Sequence, residues 1–209
     1  MSDSRDVRLR NFVKDKIKET LLKVGRKLVV EKGVEALSAR KLATASNSSV
    51  GMIYSIFGTM DDYIAAQNVI TLSELYIQMK KIVLGKNPFN NLNHYADVLT
   101  LYIEANPNLW YLLYSRHLSA EAKKSTISEA RIIKKIDILI GMQAARLIKG
   151  ILGREKRLVI KVLEMSLFAI SGYLLGNKLG LRSGINRSNL CKLLMNTYLA
   201  GLASIKETR

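Results

Sequence analysis

A single cysteine, two histidines, two prolines and 17 acidic residues against 33 basic ones leave few kinds of chemistry open to this chain. Cys191 alone excludes an internal disulfide and any cysteine-based zinc site. In its apolar helical run it reads as a small core or interface residue, which fits a reducing compartment. His94 and His117 have no cysteine or histidine partner at a useful spacing, and no glycine loop, carboxylate cluster or Glu-rich metal motif is present. Catalysis, a metal and a cofactor are therefore not expected. The longest uncharged apolar run, Met165 to Asn177, is shorter than the roughly 20 residues that span a bilayer. The N-terminus is polar and charged, unlike a secretory signal. A soluble, cytoplasmic protein without a membrane partner is expected.

Disorder is excluded on similar grounds: 48% of residues are apolar and only thirteen are glycine. No run alternates apolar and polar residues long enough to force a strand. Helix-compatible runs separated by short breaks predict an all-α protein.

The net charge of +16 is unevenly placed. Residues 1–65 carry 12 Lys/Arg against 8 Asp/Glu, and residues 66–209 carry 21 against 9. Such an excess attracts nucleic acid, anionic ligands or anionic membrane surfaces, or reflects a Lys- and Ile-rich proteome.

Residues 37–57 have the most specific pattern. Leu37, Lys41 with Leu42, and Ala45 fall at helical spacing with Ser38 placed to cap. Ser46-Asn47-Ser48-Ser49 then breaks the helix, and Asn47 enters the left-handed region at modest cost. Ser48 or Ser49 can cap a second helix whose Ile53 and Phe57 point inward. Val50, Gly51, Met52, Ser55 and Ile56 are left over from the core. This is a helix-turn-helix whose second helix, small and uncharged at its start, can approach base edges.

Before it lie a polar arm over residues 1–10, with Arg5, Arg8 and Arg10 able to reach phosphates or a minor groove, the alternative being a frayed tail, and a helix from about Val13 to Lys32. Gly25 falls inside that helix, where it costs about 1 kcal/mol relative to Ala and predicts close packing by another element. After it, Thr59 and Asp62 stand at capping-box spacing and open a helix to about Leu84. Further helices are expected at 91–105, 109–117, 120–149 (capped by Ser119), 154–181 and 188–205. This divides the chain into a three-helix head with its basic arm, residues 1–58, and a larger helical body, residues 59–209.

The first 65 residues resemble the DNA-binding domain of TetR-type (TetR/AcrR) transcriptional regulators. The resemblance rests on Ile17, Leu21, Gly25, Leu28 and Gly33, then Leu37-Ser38, Leu42-Ala43, Ser49-x-Gly51-x-Ile53-Tyr54-x-x-Phe57, and Asp61 with Tyr63-Ile64. The remainder matches the family in length and helical character alone. The turn departs from the usual Ala-Gly-Val, a histidine position is Ile56, and a phosphate-binding lysine position is Met60. The resemblance implies a homodimer that binds a palindromic operator in double-stranded DNA and represses until a small-molecule effector releases it. By position, Arg40, Val50, Gly51 and Met52 would contact bases. Ser38, Lys41, Ser49, Tyr54 and Thr59 would contact phosphates.

In the body, Gly172, Gly176 and Gly180 recur on one helix face. With Leu175, Leu179, Leu190, Leu194, Tyr198 and Leu202 they make a candidate dimer interface, the alternative being packing within one subunit. Tyr95, Leu99, Tyr102, Trp110, Leu113, Tyr114, His117 and Phe168 make a candidate apolar ligand pocket, the alternative being plain core. The basic stretch from Ser119 to Lys161 would suit an anionic ligand. A ligand-independent DNA-binding protein, acting through a protein partner or organising chromosomal DNA, is the competing reading.

Overall fold

The computed structural model describes residues 3–118, 126–148, 153–176 and 187–204, and there the chain is helical throughout, with no strand. The elements are α1 (Asp3–Lys32), a 3-10 turn (Val34–Ala36), α2 (Ala39–Ser46), α3 (Val50–Phe57), α4 (Met60–Lys80), α5 (Pro88–Ala105), α6 (Pro107–Leu118), α7 (Ile127–Leu147), α8 (Gly153–Leu174) and α9 (Arg187–Ser204). Short polar side chains set the starts: Ser38, Ser49, Thr59, Asn87 and Thr126 each accept from a backbone N–H of the turn they open. Thr126 and Glu129 complete a capping box on α7.

Several boundaries differ from expectation: α4 ends at Lys80, and α8 ends at Leu174 with Leu175 and Gly176 in a turn beyond it, so Gly172 and Gly176 do not share one helix face. Residues 3–12 belong to α1 and are not a separate arm. No proline or glycine interrupts the chain from Asp3 to Lys23, and Asp3 and Asp6 suit a helix N-terminus, so nothing stops the helix from extending forward. Helix α7 starts at Ile127 with Thr126 as its cap, and the expected cap Ser119 lies outside the described residues.

Packing produces three apolar cores. In the head, Leu21, Leu42, Ala43 and Ile53 close around Tyr63. At the joint, Val29 meets Leu109 and Leu112 of α6. The largest core fills the body from Leu72 to Leu199. Helix α4 serves two of them, with Tyr63 in the head and Leu72, Leu75 and Met79 in the body. The head therefore draws its core from beyond residue 58.

Gly25 explains how α1 and α4 come so close. The Tyr63 hydroxyl donates to the Leu21 carbonyl at 2.8 Å, while the Gln67 amide donates to the Tyr63 oxygen at 2.8 Å and to the Leu22 carbonyl at 2.7 Å. Burial pushes the Tyr63 phenol up to about 12, so it stays a neutral donor. A methyl at position 25 would meet the Tyr63 oxygen at 1.8 Å and its ring carbon at 2.9 Å. Gly25→Ala should lower the unfolding free energy by about 1–3 kcal/mol in spite of alanine's better helix propensity. Tyr63→Phe in the same background should return part of that loss, a non-additivity that denaturant titration of the four proteins will show.

Candidate nucleic-acid interface

The turn between α2 and α3 is made by hydroxyls and one left-handed residue. Asn47 has φ 51 and ψ 44, and among the described residues it is the one non-glycine with positive φ. The Ser48 N–H donates to the Ala43 carbonyl at 3.0 Å, closing the end of α2. Ser46 donates its hydroxyl proton to the Leu42 carbonyl at 2.7 Å, which makes Ser48 the donor in the 2.7 Å contact between the two hydroxyls. Serines thus hold the turn by hydrogen bonds where an apolar contact is usual. Ser49 accepts from the Met52 N–H at 3.1 Å and starts α3 with its first backbone donors turned outward.

With Ile53 fully buried, α3 presents Gly51, Met52, Tyr54 and Ser55 to solvent. Val50 and Ile56, expected to be free of the core, are half-buried against the head cluster because they sit on the shoulders of the buried face. Met52 is 39% exposed and Tyr54 44% exposed. Arg40 is exposed on α2. Lys41 is exposed too, but its ammonium donates to the Glu35 carbonyl at 2.9 Å, and Ser38 is engaged in its cap. Thr59 donates to the Asp62 carboxylate at 2.6 Å and accepts from the Asp62 N–H at 3.0 Å. Arg8 and Arg10 project from exposed turns of α1, and the Arg5 side chain lies outside the described residues.

A cavity of about 550 Å³ opens in the body between α4, α5, α6, α7 and α8. Leu72, Leu75 and Met79 wall one side, and Ile133, Ile136 and Ile140 another. Of the expected pocket residues, Leu99, Trp110 and Leu113 line it. The indole N–H of Trp110 is buried with no acceptor among the described residues. Asp137, Lys161 and Ser171 are the polar groups of the lining. Tyr95, Tyr102 and Tyr114 do not line it and are core. The Tyr102 hydroxyl donates to Glu74 at 2.8 Å, and Glu74 also binds Arg26 of α1. Tyr114 fills the space over Gly172, where a methyl would meet its oxygen at 2.1 Å. The side chains of His117 and Phe168 lie outside the described residues. No group of His, Cys, Asp and Glu among the described residues could hold a metal, and no described helix is long and apolar enough to cross a membrane.

No protein-family model and no curated protein matches the sequence. Solved structures do. A transcriptional regulator from Rhodococcus sp. superposes with a TM-score of 0.65 at 19% identity, over 90% of this chain and 99% of its own. The TetR family transcriptional regulator PfmR from Thermus thermophilus gives 0.60 at 16%, over 86% and 97%. The fatty acid degradation regulator FadR from Bacillus halodurans gives 0.61 at 14%, over 87% and 94%.

The chain has the TetR fold.

Within this TetR fold the expected glycine face does not form as one surface: Gly172 lies on α8 and Gly176 in the turn after it. Gly172 is accounted for by Tyr114 of the same chain, and Leu175 and Gly176 are buried in the subunit's own core. Leu194 is 51% exposed on α9, beside Leu193 at 61%, and Tyr198 is half-buried. Leu179 and Gly180 lie outside the described residues, as do the side chains of Leu190 and Leu202.

The sequence reading missed an ion network that ties the TetR-like head to the body. Arg116 of α6 donates from Nε and Nη2 to the two Asp61 oxygens at 3.0 and 3.1 Å, and from Nη1 to both Glu129 oxygens at 3.0 Å. Hydrogen bonding to Asp61 holds the Arg116 pKa above its ordinary value. Glu129 has no solvent exposure and also accepts from the Thr126 N–H at 2.8 Å and the Asn68 amide at 3.3 Å. The capping-box pattern Thr126-x-x-Glu129 was the one signal in the sequence for Glu129. Arg116→Met, which strands that carboxylate, should cost about 3–5 kcal/mol in chemical denaturation. Arg116→Met with Glu129→Leu should recover most of the loss.

Proposed function

We propose that the chain is a homodimeric, sequence-specific DNA-binding transcriptional regulator, a repressor released from a palindromic operator by a small, largely apolar ligand. The observation that carries this reading is the α2–α3 pair. It joins at a tight left-handed turn and presents an exposed, uncharged helix start beside an exposed arginine. That is a shape for entering a major groove. Gly51, Met52 and half-buried Val50 read by close approach and apolar contact, as with thymine methyls. Arg40 supplies the hydrogen bonds that distinguish guanine. Ser38, Lys41, Ser49, Tyr54 and Thr59 border this surface and position the backbone. The exposed Leu193 and Leu194 of α9 offer an apolar surface for a second copy, which a two-fold operator requires.

The ligand site is the body cavity. Its walls are apolar, and Trp110 offers one buried donor to an acceptor on the ligand. FadR from Bacillus halodurans, which shares the fold, is a regulator of fatty acid degradation, and that is in keeping with an apolar ligand here. Occupation would press on Trp110 and Leu113 of α6, within two turns of Arg116, and so on the Asp61 end of α4 beside α3.

Arg40→Ala should weaken binding to a selected site roughly 5- to 150-fold while changing binding to scrambled DNA far less. An equal loss on both would make Arg40 a phosphate contact. Trp110 is the sole tryptophan. Its emission should change with any compound that releases DNA, and silence would place the ligand elsewhere.

A further inference from the structure

The proposed DNA surface lacks cations where a groove-docked helix ordinarily finds them. Helix α3 carries no charge from Val50 to Phe57, and the start of α4 presents Met60 followed by Asp61 and Asp62. Phosphates beside α3 must be neutralised from another element. Helix α1 is long enough to do it, because its unexpected first turns run past the head core.

Arg10, Lys14 and Lys18 recur every four residues on α1, all exposed. Arg10 and Lys14 line one wall of an open groove of about 420 Å³ whose other wall is Met52, Ser55 and Ile56 of α3. The Lys18 ammonium lies 5.7 Å from the centre of the Phe57 ring at the end of α3, a cation–π contact that leaves it beside the same edge. Among the described residues none of the three cations is in an ion pair; the nearest pair on the helix, Lys16 with Glu19, faces elsewhere along the turn. They step along the axis by about 6 Å each, a run of about 12 Å. One strand of B-DNA presents a phosphate about every 3.4 Å of duplex axis, so the run matches several successive phosphates.

We propose that Arg10, Lys14 and Lys18 form a phosphate-binding ridge, along which one DNA strand runs while α3 occupies the adjoining groove. The inference rests on the DNA-binding reading above. Its physical logic is compensation: the positive field missing from Ile56 and Met60 is supplied by α1, across the groove from Ile56. The ridge positions the duplex and carries no sequence preference, leaving discrimination to Arg40 and the start of α3.

The test is the salt dependence of duplex binding, by fluorescence anisotropy, for the full chain and two charge-matched variants. Arg10→Gln/Lys14→Gln/Lys18→Gln removes the ridge, and Lys23→Gln/Lys27→Gln/Lys32→Gln removes three α1 charges elsewhere. Each phosphate contact contributes about 0.9 to the slope of log affinity against log salt. The ridge variant should therefore lose a slope of roughly 2.7 for each bound subunit, making the affinity fall about 40-fold less per subunit between 50 and 200 mM salt. It should do so equally on selected and scrambled duplexes. The control variant should keep the wild-type slope, and thermal melting should show both variants folded. An unchanged slope in the ridge variant, or an equal drop in the control, overturns the ridge. Wild-type chain that binds no duplex at all overturns the DNA-binding reading itself. Binding of the wild type to phosphatidylserine vesicles that is lost in the ridge variant, with the DNA slope unmoved, assigns these cations to a membrane surface and overturns the proposal.

Discussion

One guanidinium holds together parts of this molecule that are far apart in sequence. Arg116 leaves α6 and binds Asp61, in the first turn of α4, and Glu129, buried at the start of α7. A carboxylate without solvent exposure is tolerable only when its charge and lone pairs are met. Here the arginine, the α7 cap and Asn68 meet them. The pairing with Asp61 is bidentate, from Nε and Nη2, and Nη1 is shared between the two Glu129 oxygens, which fixes orientation as well as distance. Since α3 packs against the start of α4, the orientation of α3 is set from inside the body.

Helix α4 turns that constraint into a connection. Its first turns complete the head around Tyr63, and its later turns wall the cavity through Leu72, Leu75 and Met79. Close approach of α1 at Gly25 and the hydroxyl of Tyr63 prevent the head from sliding along α4. A displacement of α6 or α7 would therefore act on a rigid rod whose far end carries the head. No flexible linker separates the two, since Gly58 and Thr59 pass directly into the helix.

The helix-turn-helix was legible because its signals are local. Ser38 and Ser49 cap, Asn47 takes the left-handed turn, and Ile53 is buried at the spacing the pattern demands. Gly25 announced a close neighbour, though not that the neighbour would be Tyr63. What stayed hidden depends on long-range partners. Periodicity put Tyr95, Tyr102 and Tyr114 on apolar faces correctly, but it cannot tell a cavity wall from a packed core. Gly172 looked like a surface for another chain and is filled by Tyr114. The pairing of Arg116 with Asp61 and Glu129 had no signal in the sequence, because it joins residues 55 and 13 positions apart on separate helices. The extended α1 was missed because a polar N-terminus was read as an arm, although no helix breaker separates it from the helical run beginning near Val13.

The central claim, that this TetR fold reads a symmetric site in DNA, is tested most directly by selecting duplexes bound by the purified chain from a random-sequence pool. The expected result is enrichment of an inverted repeat, with half-sites separated to suit two copies of α3 in successive major grooves, about 34–36 Å apart or a multiple of it. Recovery of unenriched sequence, or of a site without two-fold symmetry, would contradict it.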